Sequence, residues 1–282
     1  MDRTRLSVRL PHRTPRSLDQ GAADRLASAV RGDLATVDAV HEHPVPYGDG
    51  LAVLVVGTVA TPFAASAPVP SVGGASVPVV LVDSGAPDVP PGVEVVRIGE
   101  DVGRGAAINR AVAALPPDVG LVAAAPADLD WPDGVLDALR AAARRHPRAG
   151  ILAPRVVGSD GVPVPSTHPL PRPLGAVLRQ AWPPAADVDG EGPVGWSSAP
   201  ALLLRRTALD SVDGFDPRYA GRFDDLDLAD RLARAGWLTV HVPSVAVVYE
   251  PVVRSDPAAA RRYLADRGPR PVRGLLRPSV RS

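Results

Sequence analysis

Short apolar runs separated by turn and helix patterns are the feature that most restricts the fold of this chain. Five such runs have the length of one strand each and lie at residues 51–56, 77–82, 93–98, 119–124 and 150–156. Amphipathic segments at 106–115 and 135–145 fall between the later runs and predict helices. Nearly continuous apolar strands joined by helices indicate an α/β fold with a mostly parallel central sheet and helices on both faces. Ligands of such sheets bind beyond the carboxyl ends of the strands.

Composition excludes several classes of protein. The chain has 282 residues, of which 45% are hydrophobic and 22% charged, as is typical of a globular protein with one large domain or two small ones. Its formal net charge is zero, so we expect no nucleic-acid partner. Cysteine is absent, which excludes disulfides and thiolate metal sites and fits a cytoplasmic location. The first 15 residues lack the apolar segment of a signal peptide, so secretion is not expected.

The pattern also predicts the domain organisation. Residues 51–82 carry no charge, but prolines and glycines interrupt them, which favours two buried strands around a loop over a membrane span. A short amphipathic helix predicts an N-terminal extension over 1–48, followed by a catalytic-type domain over 49–255. The remainder, 256–282, is read as a helix and an Arg/Pro-rich tail. That tail could contact a membrane surface, although a solvated end is the commoner role of such a segment.

The most suggestive segment for function is acidic. Asp224, Asp225 and Asp227 follow a Gly-Phe-Asp turn and open a helix whose buried face is formed by Leu228 and Leu232. Acids in a first helical turn often only cap free backbone N–H groups and complement the helix dipole, for about 0.3–1 kcal/mol each. The alternative is that these carboxylates carry chemistry, as general bases do.

The motifs around these acids resemble the second half of the family 2 glycosyltransferases, especially the actinobacterial rhamnosyltransferase-like branch. A Gly-Trp pair and an apolar run at 201–204 precede the acids, and the run at 236–243 follows them. The resemblance implies a GT-A-like fold with a Rossmann-like nucleotide-binding half and an acceptor half. It also implies transfer of a hexose such as rhamnose from a nucleotide diphosphate sugar to a glycan or lipid-linked acceptor, with inversion. Such work would place the protein in the cytoplasm, at the inner face of the membrane.

The resemblance assigns roles in the second half of the chain. Asp225 matches the Asp of the family's Glu-Asp pair, which would take the proton from the acceptor hydroxyl as a general base, and Asp224 is its catalytic neighbour. Asp227, Gly195 and Trp196 are assigned to acceptor binding. His168 lies in a long proline-rich segment over 163–193 and is interpreted as a surface histidine.

In the first half, the resemblance assigns donor-binding roles to Asp83, Arg104, Asn109 and Asp128. Asp83 could instead belong to a plain strand-ending turn, and Arg104 could be a solvated loop arginine. Asp128 and Asp130 follow a strand with one residue between them, and oxygen ligands at this spacing suit a hard divalent cation. We therefore expect Mg²⁺ or Mn²⁺ at Asp128 and Asp130.

Three departures from the family pattern favour a second hypothesis. The first strand does not lead into Thr-Tyr-Asn, Pro126 replaces the Asn of Asn-Pro-Asp, and Tyr249 and Glu250 stand where many relatives have a metal-binding histidine. A catalytically silent glycosyltransferase-like subunit, which binds a nucleotide sugar, a glycan or a partner enzyme, would tolerate these losses. An unrelated nucleotide-binding α/β protein is the third alternative.

Overall fold

The computed structural model describes a defined part of the chain, all of it within the unit Ala39–Ser282. The described residues are 47–56, 71–72, 75–76, 79–83, 94–98, 102–127, 129, 131–170, 188–219, 223–249 and 263. The predicted N-terminal helix, the segment 171–187 of the long loop and the tail beyond 249, apart from Tyr263, lie outside these residues. The domain boundaries therefore stay predictions.

Strands and helices alternate along the first half and mix more freely in the second. The strands are β1 (Gly50–Val56), β2 (Ser71–Val72), β3 (Ala75–Ser76), β4 (Val79–Asp83), β5 (Glu94–Arg97), β6 (Val119–Pro126), β7 (Ala149–Val157), β8 (Pro163–Val164), β9 (Thr167–His168), β10 (Gly192–Val194), β11 (Trp196–Ser197), β12 (Leu202–Arg205) and β13 (Leu238–Val248). The helices are α1 (Arg104–Ala114), α2 (Val135–Arg145), α3 (Arg206–Asp210) and α4 (Asp224–Arg234), with a 3₁₀ turn at Pro217–Tyr219.

The main sheet runs in the order β10-β13-β7-β12-β6-β1-β4-β5. β1 pairs in parallel with β4 and β6, β4 with β5, and β7 with β13. β12 is antiparallel to both β6 and β7, which makes β6 and β7 parallel to one another. The carboxyl ends of β1, β4, β5, β6, β7 and β13 therefore share one edge of the sheet, called here the carboxyl edge. The predicted mostly parallel sheet is confirmed.

Burial explains why the apolar runs form the centre of the sheet. Every residue of β1 after Gly50 is buried, and β6 is buried from Val119 to Ala125, so both strands are covered on both faces. α1 packs against β1 and β4, α2 against β7 and β13, and α3 against β6 and β7. Each fully buried Leu or Val contributes about 1.5–3 kcal/mol relative to an exposed position. The hydrophobic runs thus fix where the strand ends, and the loops after them, lie.

Element bounds agree closely with the sequence pattern. The helix expected at 135–145 is observed at Val135–Arg145, and the strand expected at 119–124 continues to Pro126. Leu228 and Leu232 are buried on α4, as the i, i+4 spacing predicts. Within the described residues, we find no helix with the length and apolar character that crossing a membrane requires.

Candidate functional site

The first turn of α4 carries the acidic cluster. The helix begins directly after Phe223, whose φ of 64° is in the left-handed region that a residue with a side chain rarely adopts. Asp224 Oδ1 accepts the backbone N–H of Asp225 at 3.0 Å, and Asp225 Oδ1 accepts that of Leu226 at 2.8 Å. Asp224 and Asp225 each use one carboxylate oxygen to accept a free backbone N–H of the first turn. The other oxygen of Asp224, Oδ2, is buried and has no hydrogen-bond partner among the described residues.

Asp225 has the electrostatic properties of a base that works near neutral pH. The residue is half-buried. Burial, followed by the charge of the neighbouring Asp224, raises the pKa of Asp225 to about 7, while Arg104 and two backbone N–H groups act in the opposite direction. A general base is most effective when its pKa is close to the working pH. Among the acids of this turn, Asp225 is thus suited to exchange a proton.

Asp227 has a different environment although it lies only two residues further along. Its side chain is fully buried and accepts a hydrogen bond from Arg231 Nε at 2.7 Å. Arg231 also donates to the carbonyl of Val212 at 2.5 Å, which fastens α4 to the segment before it. An acceptor cannot reach a side chain without exposed surface. Acceptor binding by Asp227 stays a prediction, whereas its contact with Arg231 explains the residue by structure alone.

Arg104 connects the two halves of the chain. It opens α1 after β5, and its guanidinium donates to the carbonyl of Pro200 at 3.1 Å. Its Nε is buried and has no hydrogen-bond partner in the described part of the chain. Since its charge lowers the pKa of Asp225, the positive end of the predicted donor site lies near the acids of α4. The alternative of a freely solvated loop arginine does not fit this half-buried position.

Asn109 clamps the turn that precedes the acids. Its side-chain oxygen accepts the N–H of Phe215 at 2.9 Å, and its amide nitrogen donates to the carbonyl of Phe215 at 2.8 Å. Gly214 has a φ of 68°, and a Cβ there would lie 2.4 Å from the Asn109 oxygen. Only glycine therefore fits without displacing the clamp. Donor binding by Asn109 stays a prediction, whereas its contact with Phe215 explains the residue by structure alone.

The predicted acceptor residues Gly195 and Trp196 lie beside α4. β11 pairs with β9, which places Trp196 opposite His168, and their rings stack with centroids 4.1 Å apart. A Cβ on Gly195 would come within 2.2 Å of the backbone nitrogen of Leu170, so the glycine lets the two segments meet. β11 in turn packs against α4. The sequence does not predict that His168 stacks on Trp196, because the pairing of two-residue strands about 30 positions apart leaves no periodic pattern.

Three of the predicted donor and metal residues lie wholly or partly outside the described residues. Asp83 ends β4, where its backbone aligns with Arg97 of β5, and its side chain lies outside the described part. Asp128 and Asp130 also lie outside it, directly beyond β6. Within the described residues there is no group of three or more side chains that could hold a metal ion. Metal binding by Asp128 and Asp130 stays a prediction.

Comparison with known proteins yields one strong sequence relative. Over 203 residues the chain is 38% identical to the N-acetylglucosaminyl-diphospho-decaprenol L-rhamnosyltransferase of Mycobacterium tuberculosis, in both strain CDC 1551 / Oshkosh and strain H37Rv. The match covers 61% of this chain and 66% of the relative, just under two thirds of the relative's length. No protein-family model matches the chain.

Solved structures are similar in fold at low sequence identity. The crystal structure of GalNAc-T7 with UDP, GalNAc and Mn²⁺ gives a TM-score of 0.50 at 10% identity, over 88% of this chain and 56% of that one. Staphylococcus aureus TarS 1–349 gives 0.47 at 12% identity, over 76% and 63%. The GalNAc-T7 likeness confirms the expected fold class. The chain therefore has the expected α/β fold and, over part of its length, is similar in sequence to a rhamnosyltransferase.

Proposed function

We propose that this protein is an inverting glycosyltransferase that moves a hexose from a nucleotide diphosphate sugar to a hydroxyl group of a glycan or lipid-linked acceptor. The observation that carries the proposal is the position of Asp225. It is a half-buried carboxyl group with a pKa raised to about 7, beside Asp224 and within the electrostatic influence of Arg104. Glycosyl transfer needs a base for the acceptor hydroxyl and a positive charge for the donor diphosphate. Asp225 and Arg104, from different halves of the chain, supply these two groups.

The sheet supports a common location for the donor and the acids. Arg104 contacts Pro200, which stands two residues before β12, and Leu202 of β12 pairs with Ala124 of β6. β6 ends at Pro126 at this carboxyl edge, and Asp128 and Asp130 come soon after it in the sequence. Ligands of open α/β sheets bind at this edge. A donor diphosphate between Arg104 and the loop after β6 would therefore lie close to Asp225.

The chemistry follows from these positions. Asp225 accepts the proton of the acceptor hydroxyl, whose oxygen forms a bond to the anomeric carbon of the donor. The bond from that carbon to the diphosphate oxygen breaks on the opposite face, which inverts the configuration. Arg104 stabilises the negative charge that develops on the departing diphosphate. Asp224 keeps Asp225 basic enough for this step, because its charge adds to the effect of burial on the pKa of Asp225.

A divalent cation fits the donor chemistry of the loop after β6. Asp128 and Asp130 would supply carboxylate oxygens, which are the ligands that Mg²⁺ and Mn²⁺ prefer. When bound, such a cation neutralises charge on the leaving diphosphate. The GalNAc-T7 structure, which shares the fold, contains Mn²⁺ together with UDP.

The relative's name suggests the substrates. It is an L-rhamnosyltransferase for N-acetylglucosaminyl-diphospho-decaprenol. We propose rhamnose as the transferred sugar and a polyprenyl-diphosphate-linked sugar as the acceptor, which places this protein in the cytoplasm at the inner face of the membrane. The stacked rings of Trp196 and His168 beside α4 offer the acceptor sugar a flat apolar surface.

A transfer assay with the purified full chain tests the proposal. The donor is a nucleotide-diphospho-rhamnose, the acceptor a short-chain polyprenyl-diphospho-N-acetylglucosamine, and the product is detected by mass spectrometry with Mn²⁺, with Mg²⁺ and with neither. We expect metal-dependent transfer that Asp225→Asn abolishes. The matched control is Asp230→Asn, since Asp230 lies on the same helix but pairs with Arg234. Donor binding without turnover would instead support the silent subunit, and the absence of donor binding in all three conditions would contradict both hypotheses.

A further inference from the structure

A cavity of about 280 Å³ lies at the edge of the sheet opposite the acids of α4. It is bordered by the chain entering β1, by the first residues of β6, by the end of β12 and by one face of α2. β1 and β6 begin at the edge of the sheet opposite the carboxyl edge. This cavity is therefore separate from the proposed donor site. Its volume is close to the lower end of the range for small-molecule sites.

The charge around this cavity is positive and incompletely neutralised. Arg140 and Arg144 stand one turn apart on α2, and like charges at this spacing repel. Both guanidinium groups contact the same oxygen of Asp49, each at 3.4 Å. That carboxylate is 83% exposed, so it screens the two arginines poorly. Arg205 adds a third positive charge, although its N–H groups donate to main-chain carbonyls.

The cavity also contains polar atoms whose hydrogen-bonding capacity is unused. Thr207 lines it and is buried, and its hydroxyl has no hydrogen-bond partner among the described residues. The same holds for Nε of Arg140. Leu121, Ala143 and Pro147 supply an apolar wall next to these groups. Buried polar groups without partners are uncommon in proteins, and a bound ligand is one way to satisfy them.

We propose that this cavity binds an organic phosphate with a compact apolar body. The phosphate would replace the Asp49 carboxylate between Arg140 and Arg144, because a phosphate monoester carries about −1.5 to −2 charges at pH 7 and three acceptor oxygens, whereas a carboxylate carries one charge and two oxygens. The apolar body would lie against Leu121 and Ala143, with the Thr207 hydroxyl within the same cavity. In this arrangement Asp49 acts as an internal competitor that occupies the arginines in the free protein.

Calorimetric titration of the full chain with phenyl phosphate tests this site, with phenol as the neutral comparison. We expect saturable binding of phenyl phosphate alone, weakened at least tenfold by Arg144→Gln and tightened several-fold by Asp49→Asn. Arg144 is 64% exposed, so its substitution should leave the fold intact, which circular dichroism verifies. Arg145→Gln is the matched control, because Arg145 is the next residue on α2 but pairs with Glu191.

The outcomes separate this site from the donor site. Binding should be unchanged in Arg104→Gln, whose guanidinium lies at the other edge of the sheet. The proposal is overturned if phenyl phosphate does not saturate, if Arg144→Gln binds as the unaltered protein does, or if Arg104→Gln removes the binding. Weaker binding by Asp49→Asn would show that the Asp49 carboxylate helps to bind the ligand. That result would overturn the proposal that the phosphate replaces Asp49 between the two arginines.

Discussion

Two acids in the first turn of α4, Asp225 and Asp227, have opposite environments. In the first turn, Asp224 and Asp225 lie side by side, and the pKa of Asp225 is raised because burial and a like charge outweigh the effect of Arg104. In the same turn, Asp227 is more deeply buried, yet it has a guanidinium partner at 2.7 Å. Two positions along the chain thus separate a carboxylate with a pKa near neutrality from one that holds the helix in place.

The difference distinguishes a charge that the proposed reaction would use from a charge that stabilises the fold. Removing one partner from a buried ion pair leaves an uncompensated charge, which is costly. A carboxylate that lacks such a partner gives up stability but retains a proton affinity near neutrality. Substitutions of Asp225 and of Asp227 should therefore separate activity from stability.

The largest effect is expected for Asp225→Asn. An amide cannot take the acceptor proton, so kcat should fall by about 10²- to 10⁴-fold, the range that a general base contributes. The free energy of unfolding at pH 8 should stay the same or rise, because a carboxylate that is unfavourable when charged has been removed. Rates from the transfer assay and equilibrium denaturation of the same sample measure the two effects. A variant that retains its rate would remove Asp225 from the mechanism.

Asp227→Ala should have the opposite profile. The change leaves Arg231 without its partner in a mostly buried position, and we expect a loss of about 3 kcal/mol in the free energy of unfolding. Asp230→Ala on the same helix is the control, since its partner Arg234 is 60% exposed and such pairs contribute about 0.5 kcal/mol. Chemical denaturation of both variants measures the difference. Equal stability of the two variants would show that the buried pair holds α4 no better than a surface pair.

The comparison also explains what the sequence could predict. Periodic apolar patterns gave the strands β1 and β6 and the helix α2 nearly to the residue, because burial of those side chains is a local signal that repeats along the chain. The sequence also predicts the acids of α4 at the start of a helix, because they follow the Gly-Phe-Asp turn. Their division into a paired and an unpaired set was not predicted, because Arg231 pairing with Asp227 is one of several i, i+4 possibilities on this helix.

Contacts between distant segments were harder to foresee. The sequence predicts donor binding by Asn109, which stays a prediction, but it does not reveal that the Asn109 amide contacts the backbone of Phe215, 106 positions away. It predicts a surface histidine at His168, which is partly exposed, but it does not reveal that this ring stacks on Trp196. A single sequence shows neither pairing, since each depends on how the sheet brings remote segments together rather than on spacing.

A third experiment addresses the turn that leads into α4. Asn109→Ala removes two hydrogen bonds to Phe215, each worth about 1 kcal/mol, so we expect a loss of about 2 kcal/mol in the free energy of unfolding. Asn109→Asp keeps the oxygen that accepts the Phe215 N–H but sets a second acceptor against the Phe215 carbonyl, so it should be no more stable than Asn109→Ala. Thermal and chemical denaturation rank the three proteins. If Asn109→Ala proves as stable as the original chain, the clamp does not contribute to the fold and donor binding becomes the better explanation of this residue.

The smallest of these effects concerns pH. With the pKa of Asp225 at about 7, the transfer rate should rise about tenfold from pH 6 to pH 8 and then level off, because only the deprotonated carboxylate accepts the proton. Stability should change in the other direction. The pKa of Asp225 is higher in the folded than in the unfolded chain. Its contribution to stability is therefore fully present at a pH below the pKa of the unfolded chain, and it is lost as the pH rises through about 7. Rate profiles, together with denaturation of the original chain and Asp225→Asn between pH 5 and pH 8, measure both trends. A rate that does not vary over this range, or a stability difference between the two proteins that is independent of pH, would mean that Asp225 is ionised like an ordinary surface aspartate. Asp225 would then not differ from Asp227 in the way described.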